Sequence, residues 1–453
     1  MSDRMLIGAG AGYSGDRVDA PGAVVRDLQE AGEPAAIIFE TLGERTLAAA
    51  QLRRRQNPAL GYEPKLAALL QPVLKDCVES NIPIIGNFGA ANPSAAADIV
   101  ADLAREAGLR LKIGVVSGDD MLDAGGRAVL RECCDDLPDD TLLVSANAYL
   151  GAAPIVEALG EGAQVIVTGR VADPSLTLAP LIHAFGWRHD DWVRLGRGTM
   201  AGHLLECGAQ VSGGYYADPG FKDVPGPECI GYPIAEIGRD GGIVIGKARG
   251  GGLVNRRTVT EQLLYEVHDP GAYLTPDVTA DIGNASLADL GNDRVRVDGV
   301  TGHPRPERLK VTICFDGGWI GEGEISYYGP NALARARLAG EVVRRRSPPG
   351  IRIRCDVIGV LSVLDGDAGR GWEQLEAFAA GGSTDVRLRV AFADNDRKAV
   401  ERGLAEVEAL YCAGPAGGGG IRSQMRPRIA AISCLVPRDA VKAKVELRGA
   451  GHA

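Results

Sequence analysis

Residues 83–120 read PIIGNFGAANPSAAADIVADLAREAGLRLKIGVVSGDD, and this stretch decides the fold. A short apolar run leads into a loop of glycine and asparagine, then a segment of helical length, then a second apolar run. Short apolar runs without polar alternation are typical of strands buried on both faces of a parallel sheet. The stretch therefore predicts a strand–helix–strand unit with a right-handed crossover.

The same alternation extends outward to about residue 200. The strand-like runs are Met5–Gly8, Ala35–Phe39, Pro83–Asn87, Leu111–Ser117, Thr141–Ser145 and Gln164–Thr168. The helical segments are Ala20–Ala31, Arg45–Gln56, Pro64–Ser80, Ser94–Ala107 and Pro154–Leu159. Six units are too few for an eight-stranded barrel, so we predict an α/β domain over residues 1–231 with a parallel, doubly wound sheet. The carboxyl ends of its strands then form the ligand cleft.

The second half of the chain has a different pattern. From about residue 232 the apolar runs become shorter and alternate more with polar residues, and helical segments become fewer. Alternation of this kind is typical of antiparallel sheets with one solvated face. We therefore predict a second, α+β domain over residues 232–453.

Composition excludes several classes of protein. The formal net charge of −10 argues against nucleic-acid binding. The N-terminus has no signal-peptide pattern, and no apolar run approaches the length of a membrane span. The 9 cysteines are scattered without a C-x-x-C motif, which favours free thiols in a reducing cytoplasm.

Polar and glycine-rich loops follow the predicted strands, and parallel strands bring such loops to one edge. The loop GAGAGYSGDR at 8–17 departs from the dinucleotide fingerprint, which argues against NAD and favours an anion or a polar substrate. Each loop alone could also be a plain turn. The predicted substrate-binding residues are Gly10, Gly12, Ser14, Asn87, Asn92, Asp119, Asn147 and Arg170.

The segment GHLLECGAQVSGG at 202–214 carries the strongest candidates for catalysis. On a helix, His203, Glu206 and Cys207 share one face, because residues three and four apart are neighbours. Together with Asp173 they supply acids, bases and a thiol, and a neighbouring histidine or helix end could lower the pKa of that thiol. Alternatively, Cys207 is a buried small apolar residue. His203 and Glu206 could share a metal ion, but no second histidine or carboxylate follows at short spacing, so we assign no metal.

A second glycine-rich loop, GKARGGG at 246–252, combines two cations with successive glycines. Lys247, Arg249 and Gly250 could bind a phosphate or carboxylate, such as the nucleotide part of coenzyme A. The alternative is a surface hairpin turn.

Several of these motifs resemble the acyclic terpene utilisation AtuA family in its core domain. The resemblance covers IGAGAGYSGDR at 7–17, ERTLA at 44–48, NFGAANP at 87–93, VTGRVADPSLTLAPLIHAFGW at 167–187, GHLLECGAQVSGG at 202–214, EQLLYEVHDPGAYLTPDV at 261–278 and GPAGGGGIRS at 414–423. It implies a catabolic role with branched acids that are degraded as coenzyme A esters. Many members carry a further small C-terminal domain, and we expect a separate small subunit to replace it here.

Two functions follow as hypotheses from these observations. The first is a cytoplasmic lyase or hydratase acting by acid/base catalysis on a small branched carboxylic acid or its acyl-CoA thioester, with no required cofactor. In it, Arg170 holds a carboxylate. The second is a non-catalytic, acyl-CoA-binding scaffold subunit of a catabolic complex. In either case we expect a homo-oligomer, because closed symmetric assemblies dominate among soluble proteins.

Overall fold

The computed structural model describes residues 3–366, 368–378 and 385–450. By internal contacts the chain forms two compact units. Unit 1 comprises Met1–Asp139, Leu143–Cys314 and Ala431–Ala453, and unit 2 comprises Asp140–Leu142 and Phe315–Ala430. The units thus divide the chain elsewhere than at residue 231.

The secondary structure alternates strands and helices through the first 206 residues and is richer in strands afterwards. The helices are α1 (Ala20–Ala31), α2 (Glu44–Gln56), α3 (Leu66–Leu70), α4 (Leu74–Glu79), α5 (Pro93–Glu106), α6 (Ala124–Cys133), α7 (Ala153–Gly160), α8 (Ser175–Phe185), α9 (Trp192–Glu206), α10 (Arg256–Leu264), α11 (Ala332–Arg346) and α12 (Arg397–Ala413). The strands are β1 (Arg4–Ala11), β2 (Ala35–Phe39), β3 (Ile84–Gly86), β4 (Leu111–Ser117), β5 (Leu143–Ala148), β6 (Val165–Thr168), β7 (Pro233–Gly238), β8 (Ile243–Lys247), β9 (Tyr273–Leu274), β10 (Thr279–Asp281), β11 (Ser286–Gly291), β12 (Arg294–Asp298), β13 (Thr301–His303), β14 (Arg308–Tyr328), β15 (Arg352–Ile358), β16 (Asp385–Asp394), β17 (Gly419–Pro437) and β18 (Lys444–Ala450). Short 3-10 helices lie at Gly208–Ser212, Pro227–Cys229, Arg370–Phe378 and Arg438–Ala440.

A large mixed sheet organises unit 1. Its strand order is β11-β12-β8-β7-β1-β2-β3-β6-β4-β18. The central strands β1, β2, β3, β6 and β4 are parallel, whereas β7 and β18 run antiparallel to their neighbours. The protein is therefore an α/β protein as predicted, but a wholly parallel sheet is wrong. Strands β7 and β8, which follow residue 231, extend this same sheet.

Strand β5 is a second correction to the predicted sheet. It pairs with β14 instead of joining the large sheet. Just after it, the Tyr149 amide donates to the Lys310 carbonyl at 2.9 Å. Burial of the run was predicted correctly, since all of β5 is buried. A short apolar run shows that a strand is buried but does not show which strand lies beside it.

Alternating side chains of the parallel strands enter two apolar cores, because successive residues of a strand point to opposite faces. Ile7, Ile38 and Ile166 join one core with side chains of α7, α8 and α9. Leu6 and Ile37 join the other core with side chains of α1, α3 and α5. Burial on both faces explains why these strands are apolar without alternation.

Local sequence sets the helix boundaries near the sheet edge. Asn92 caps α5 by accepting from the Ala95 amide, and Pro93 occupies the first turn, where its missing N–H costs nothing. The helix therefore begins one residue before the predicted start at Ser94. The helix predicted over 64–80 is two short helices, α3 and α4, because Pro72 interrupts it.

Unit 2 contains antiparallel strands with the order β15-β16-β14-β17, and α11 and α12 pack against β16. Its core includes Tyr327, Leu388 and Phe392.

One disulfide joins two distant parts of the chain. Cys134 and Cys434 form a disulfide in unit 1 across a sequence separation of 300 residues, so the expectation of free thiols throughout is wrong at this pair. A linear sequence does not reveal that these two residues become neighbours.

Among the described residues, no helix combines the length and apolar character needed to cross a membrane.

Candidate functional site

The loops after the parallel strands are hydrogen-bonded to one another at the carboxyl edge of the sheet. The Glu40 amide donates to the Ala11 carbonyl at 3.1 Å, which joins the loops after β2 and β1. Asn87, after β3, accepts from the Thr41 amide at 2.7 Å. The loops after β1, β2 and β3 therefore meet at this edge, as predicted for parallel strands.

Arg170, in the loop after β6, is the centre of this edge. Its side chain is 1% exposed, although it carries a full positive charge. The guanidinium donates to the carbonyls of Val171 and Leu42 and to the carboxylate of Asp173, and it stacks 4.4 Å from the Tyr149 ring centroid. Arg170 is thus held on several sides by the protein itself and anchors Asp173.

A cavity of 320 Å³ opens beside Arg170 within unit 1. Its ionisable wall consists of Glu44, Tyr149, Arg170, Asp173, Glu206, Glu266, Tyr273, Arg308 and Lys310. Leucine and proline side chains provide much of the remaining wall, among them Leu274, Leu309 and Leu435. The cavity therefore offers acids, cations and apolar surface within a volume suited to a small molecule.

Helix α9 brings Glu206 to the wall of this cavity and places His203 beside it. Asp191 caps its start by accepting from the Arg194 amide, and glycines allow close packing along it. A Cβ at Gly202 would lie 2.7 Å from the Pro174 carbonyl oxygen, so only glycine fits there. At the end of the helix, His203 Nδ1 and Glu206 Oε1 are 2.8 Å apart. The predicted pairing of these two side chains on one helix face is correct.

The His203–Glu206 pair has unused polar atoms. Both side chains are buried, and neither His203 Nε2 nor Glu206 Oε2 has a hydrogen-bond partner among the described residues. The His203 ring also lies 5.2 Å from the Tyr273 ring. Buried polar atoms without partners are rare in folded proteins, and these two belong to one hydrogen-bonded pair.

Burial raises the pKa of several carboxyl groups here. It raises the pKa of Glu206 to about 7, although His203 opposes the rise. Burial, reinforced by the charge of Asp173, raises the pKa of Glu40 to about 8. The pKa of Asp173 is also raised by burial, in spite of Arg170. Such carboxyl groups can hold a proton near neutral pH, as a general acid requires.

The pKa values of Glu44 and His203 are shifted by other causes. For Glu44, burial is outweighed by the Tyr149 hydroxyl, which donates at 2.6 Å, and by Lys310, so its pKa falls to about 2. For His203, burial favours the neutral ring, but Glu206 outweighs it and raises the pKa of His203. The cavity thus combines one permanently ionised carboxylate with carboxyl groups that retain protons.

Cys207 follows the last residue of α9 and is half-buried. Burial, together with the charge of Glu206, raises the pKa of its thiol to about 12. Burial, the larger cause, and the carboxylate both act against the lowering that a neighbouring histidine or helix end could give, and they favour the alternative of a buried, unreactive thiol.

Four predicted substrate-binding residues hold the loops. Asn87 uses both ends of its amide, accepting from Thr41 and donating to Glu40 at 3.0 Å. Asn92 caps α5 and donates to the carbonyls of Pro58 and Leu60, in the segment that follows α2. Asp119 accepts from the Arg170 amide at 3.0 Å and from the Asn147 amide group at 2.7 Å. Burial raises the pKa of Asp119 to about 6.

The glycines of the first loop serve close packing. A Cβ at Gly10 would lie 2.5 Å from the Phe39 ring, and one at Gly12 would lie 2.2 Å from the Gly208 amide nitrogen. Gly12 thus lets the loop after β1 touch the chain just beyond α9. Ser14 is half-buried in the same loop. Within the part of the chain that the structure describes, none of these three residues lines the cavity.

The predicted anion loop at 246–252 lies apart from the cavity wall. Lys247 donates to the Gly250 carbonyl at 3.1 Å and lies 3.5 Å from Asp293. Arg249 is paired with Asp27 and Glu30 on α1. Both cations are therefore already neutralised by carboxylates of the protein.

Sequence reasoning missed several residues of the site. They are Glu40, Glu44, Tyr149, Glu266, Tyr273, Arg308 and Lys310. The loop ETLGER after β2 was a usable signal for the two acids, since it follows a strand like the other loops. No local pattern marks Arg308 and Lys310, which lie on β14, far along the chain. Among the described residues, no group of three or more His, Cys, Asp or Glu side chains is arranged to hold a metal ion.

The fold and the site together define an α/β protein with a cluster of buried ionisable groups at the carboxyl edge of its sheet. Residues 5–447 match the model of the acyclic terpene utilisation family protein AtuA. The chain therefore belongs to the AtuA family, as its motifs indicated. No curated protein matches it.

Proposed function

We propose that this protein is a catabolic enzyme of acyclic terpene utilisation that catalyses proton transfer on a small branched carboxylic acid or its acyl-CoA thioester. Lyase or hydratase chemistry suits the site best. The observation that carries the proposal is Glu206, a buried carboxyl group on the cavity wall with an unpartnered oxygen and a pKa raised to about 7. Perturbed carboxyl groups in a cavity are typical of catalytic sites.

In this scheme Glu206 moves the proton. Its carboxyl group takes a proton from the carbon next to a carbonyl, or from water, and later returns it, and no described residue hydrogen-bonds its Oε2. His203 lies 2.8 Å from the other oxygen and lowers the pKa that burial raises, so it is a positioning residue. Asp173, fixed by Arg170, is the second acid that addition or elimination of water requires.

The site changes the expected role of Arg170. Its guanidinium is committed to protein carbonyls, to Asp173 and to the Tyr149 ring. Of the other cations on the cavity wall, Arg308 is the least committed among the described residues, with one long hydrogen bond at 3.4 Å to the Leu435 carbonyl. Lys310, two residues along β14, is shared with Glu44 at 3.3 Å and adds positive charge to the same wall. We therefore assign the carboxylate of a substrate to Arg308 and Lys310.

The cavity also limits the substrate in size and polarity. A volume of 320 Å³ is near the lower end of the range for small-molecule sites. The leucine and proline walls suit a branched aliphatic chain, because burying apolar surface there is favourable. A small branched acyl group fits both limits.

Deuterium exchange at the carbon next to the carbonyl tests the proposal without knowledge of the full reaction. The protein is incubated in deuterated buffer with a panel of branched acids and their coenzyme A thioesters, and exchange is followed by NMR. We expect exchange in at least one compound, and a loss of about 100-fold or more in Glu206→Gln. Glu157→Gln, a change on the exposed face of α7, is the control.

Two results would decide against this scheme. Exchange at the wild-type rate in Glu206→Gln would remove the proton-transfer role, and a panel without any exchange would remove the chemistry itself. For His203→Gln, loss of a cationic neighbour should raise the pKa of Glu206 and shift the pH profile upward. A purely structural role of His203 would lower the rate without this shift.

A further inference from the structure

A second cavity in unit 1 lies outside the site described above. It is a groove of 740 Å³ between the start of α10 and the segment that precedes β7. Arg256 and Arg257 come from the helix, and Tyr216, Phe221 and Lys222 come from the segment. The groove thus combines cations and aromatic rings on one surface.

Two of its cations are available to a ligand. Arg256 and Arg257 are exposed, and within the described part of the chain no acidic side chain pairs with either guanidinium. The three acids of the groove have other partners. Glu261 pairs with Lys222 at 2.5 Å, Asp289 accepts from the Arg256 amide at 3.2 Å, and Asp223 accepts from the Gly220 amide at 2.9 Å. The groove therefore presents two unpaired guanidinium groups.

The N-terminal amides of α10 are not what would bind a ligand. Asn255 accepts from the amides of Arg257 and Thr258, and Asp289 accepts from the amide of Arg256. With these donors satisfied, the two arginine side chains remain the anion-binding groups. Guanidinium groups bind phosphate oxygens through paired hydrogen bonds.

An exposed aromatic ring stands beside these arginines. Phe221 is 81% exposed, which is unusual for a large apolar side chain, and Tyr216 forms a buried wall of the same groove under Lys222. A flat ring at the surface can stack on a purine base whatever its edge groups. Phosphate-binding cations next to a stacking ring are the combination that recognises an adenosine phosphate.

Helix α10 links this groove to the catalytic cavity. Arg256 and Leu264 are its first and last residues, about 12 Å apart along the axis. Two residues after the helix, Glu266 lines the cavity that contains Glu206. In coenzyme A a flexible pantetheine arm joins the adenosine phosphates to the thioester sulfur, and one molecule that occupied both places would extend this arm along the helix.

We infer that the groove lined by Arg256, Arg257 and Phe221 binds the adenosine phosphate portion of a coenzyme A thioester whose acyl group enters the catalytic cavity. This inference rests on the proposed function and selects the thioester over the free acid as the substrate. A free adenine nucleotide has the same recognition chemistry, and the experiment below separates the two sources.

Calorimetric titration of the full chain with coenzyme A, ADP and pantetheine tests the inference. We expect coenzyme A to bind at least about tenfold more tightly than pantetheine, and more weakly as salt increases. The double variant Arg256→Gln/Arg257→Gln should lose about tenfold or more in affinity for coenzyme A while its weak pantetheine binding is unchanged. Phe221→Ala should weaken coenzyme A and ADP alike.

The matched control is Arg26→Gln/Arg110→Gln, which removes two exposed arginines that do not line the groove. Equal affinity for coenzyme A and pantetheine, or unchanged affinity in the double variant, would overturn the inference. Binding of ADP that coenzyme A fails to displace would also overturn it, in favour of a free nucleotide. Because binding is measured without turnover, these results stay separate from the deuterium-exchange test of Glu206.

Discussion

Replacing Glu206 by glutamine should make the protein less sensitive to rising pH. Glutamine resembles the protonated form of Glu206 in shape, but it cannot ionise. In the wild type, burial raises the pKa of Glu206 from the ordinary 4.5 to about 7, so the ionised side chain is disfavoured in the folded state. A carboxyl group with a raised pKa contributes full stability below its unfolded pKa and loses that contribution as pH rises through its folded pKa.

The size of the effect follows from the size of the pKa change. Each pKa unit is worth about 1.4 kcal/mol, so ionisation of Glu206 costs the wild type at most about 3 kcal/mol between pH 4 and pH 8. The variant lacks this cost.

Urea unfolding at a series of pH values from 4 to 8 measures the effect. The free energy of unfolding of Glu206→Gln, relative to the wild type, should rise steadily through this range. Glu157→Gln, on the solvent-exposed face of α7, should show a constant difference. A flat difference for Glu206→Gln, or one that falls as pH rises, would show that the Glu206 carboxyl group is not held in its protonated form by burial.

Three further predictions concern the residues around this pair. Arg170→Lys should lower the free energy of unfolding in urea by about 3 kcal/mol or more, because a buried site loses the paired donors that hold Asp173 and the Leu42 carbonyl. Arg188→Lys, at an exposed pair with Asp190, is the control and should change this free energy little. Iodoacetamide at pH 7 should alkylate the exposed Cys229 and Cys412 before Cys207, and fast alkylation of Cys207 would contradict its raised pKa. Asn92→Ala should lower the free energy of unfolding by about 1–2 kcal/mol, because the cap of α5 is lost. Deuterium exchange should then fall only in proportion to the fraction of unfolded protein. A greater fall would mean that Asn92 contacts the substrate after all.

Much of unit 1 could be predicted from the chain alone. Five of the six predicted strands form the parallel centre of the large sheet, because strands buried on both faces must be apolar throughout. The pairing of His203 with Glu206 could also be predicted, since side chains three positions apart on a helix lie on the same face. Both are local properties, set by residues that are near each other in sequence.

The partners of these elements were decided by tertiary structure. Strand β5 reads like its neighbours but pairs with β14, and β7 and β8 join the large sheet from beyond residue 231. Tertiary contacts also decide the charge state and the partners of the ionisable side chains at the site. Arg170 looked free to bind a carboxylate, but the fold buries it against Asp173 and Tyr149.

What the sequence alone determined is which elements form and which edge of the sheet carries polar loops, because hydrophobic period and turn chemistry act over a few residues. What only the tertiary structure decided is which of those polar groups share one buried cavity. The pKa of Glu206 depends on desolvation and on the distances to His203, Asp173 and Glu266, and no spacing along the chain encodes these quantities. Likewise Arg308 and Lys310 reach the cavity wall from more than 100 positions beyond Glu206, because folding brings together residues that are remote in the chain.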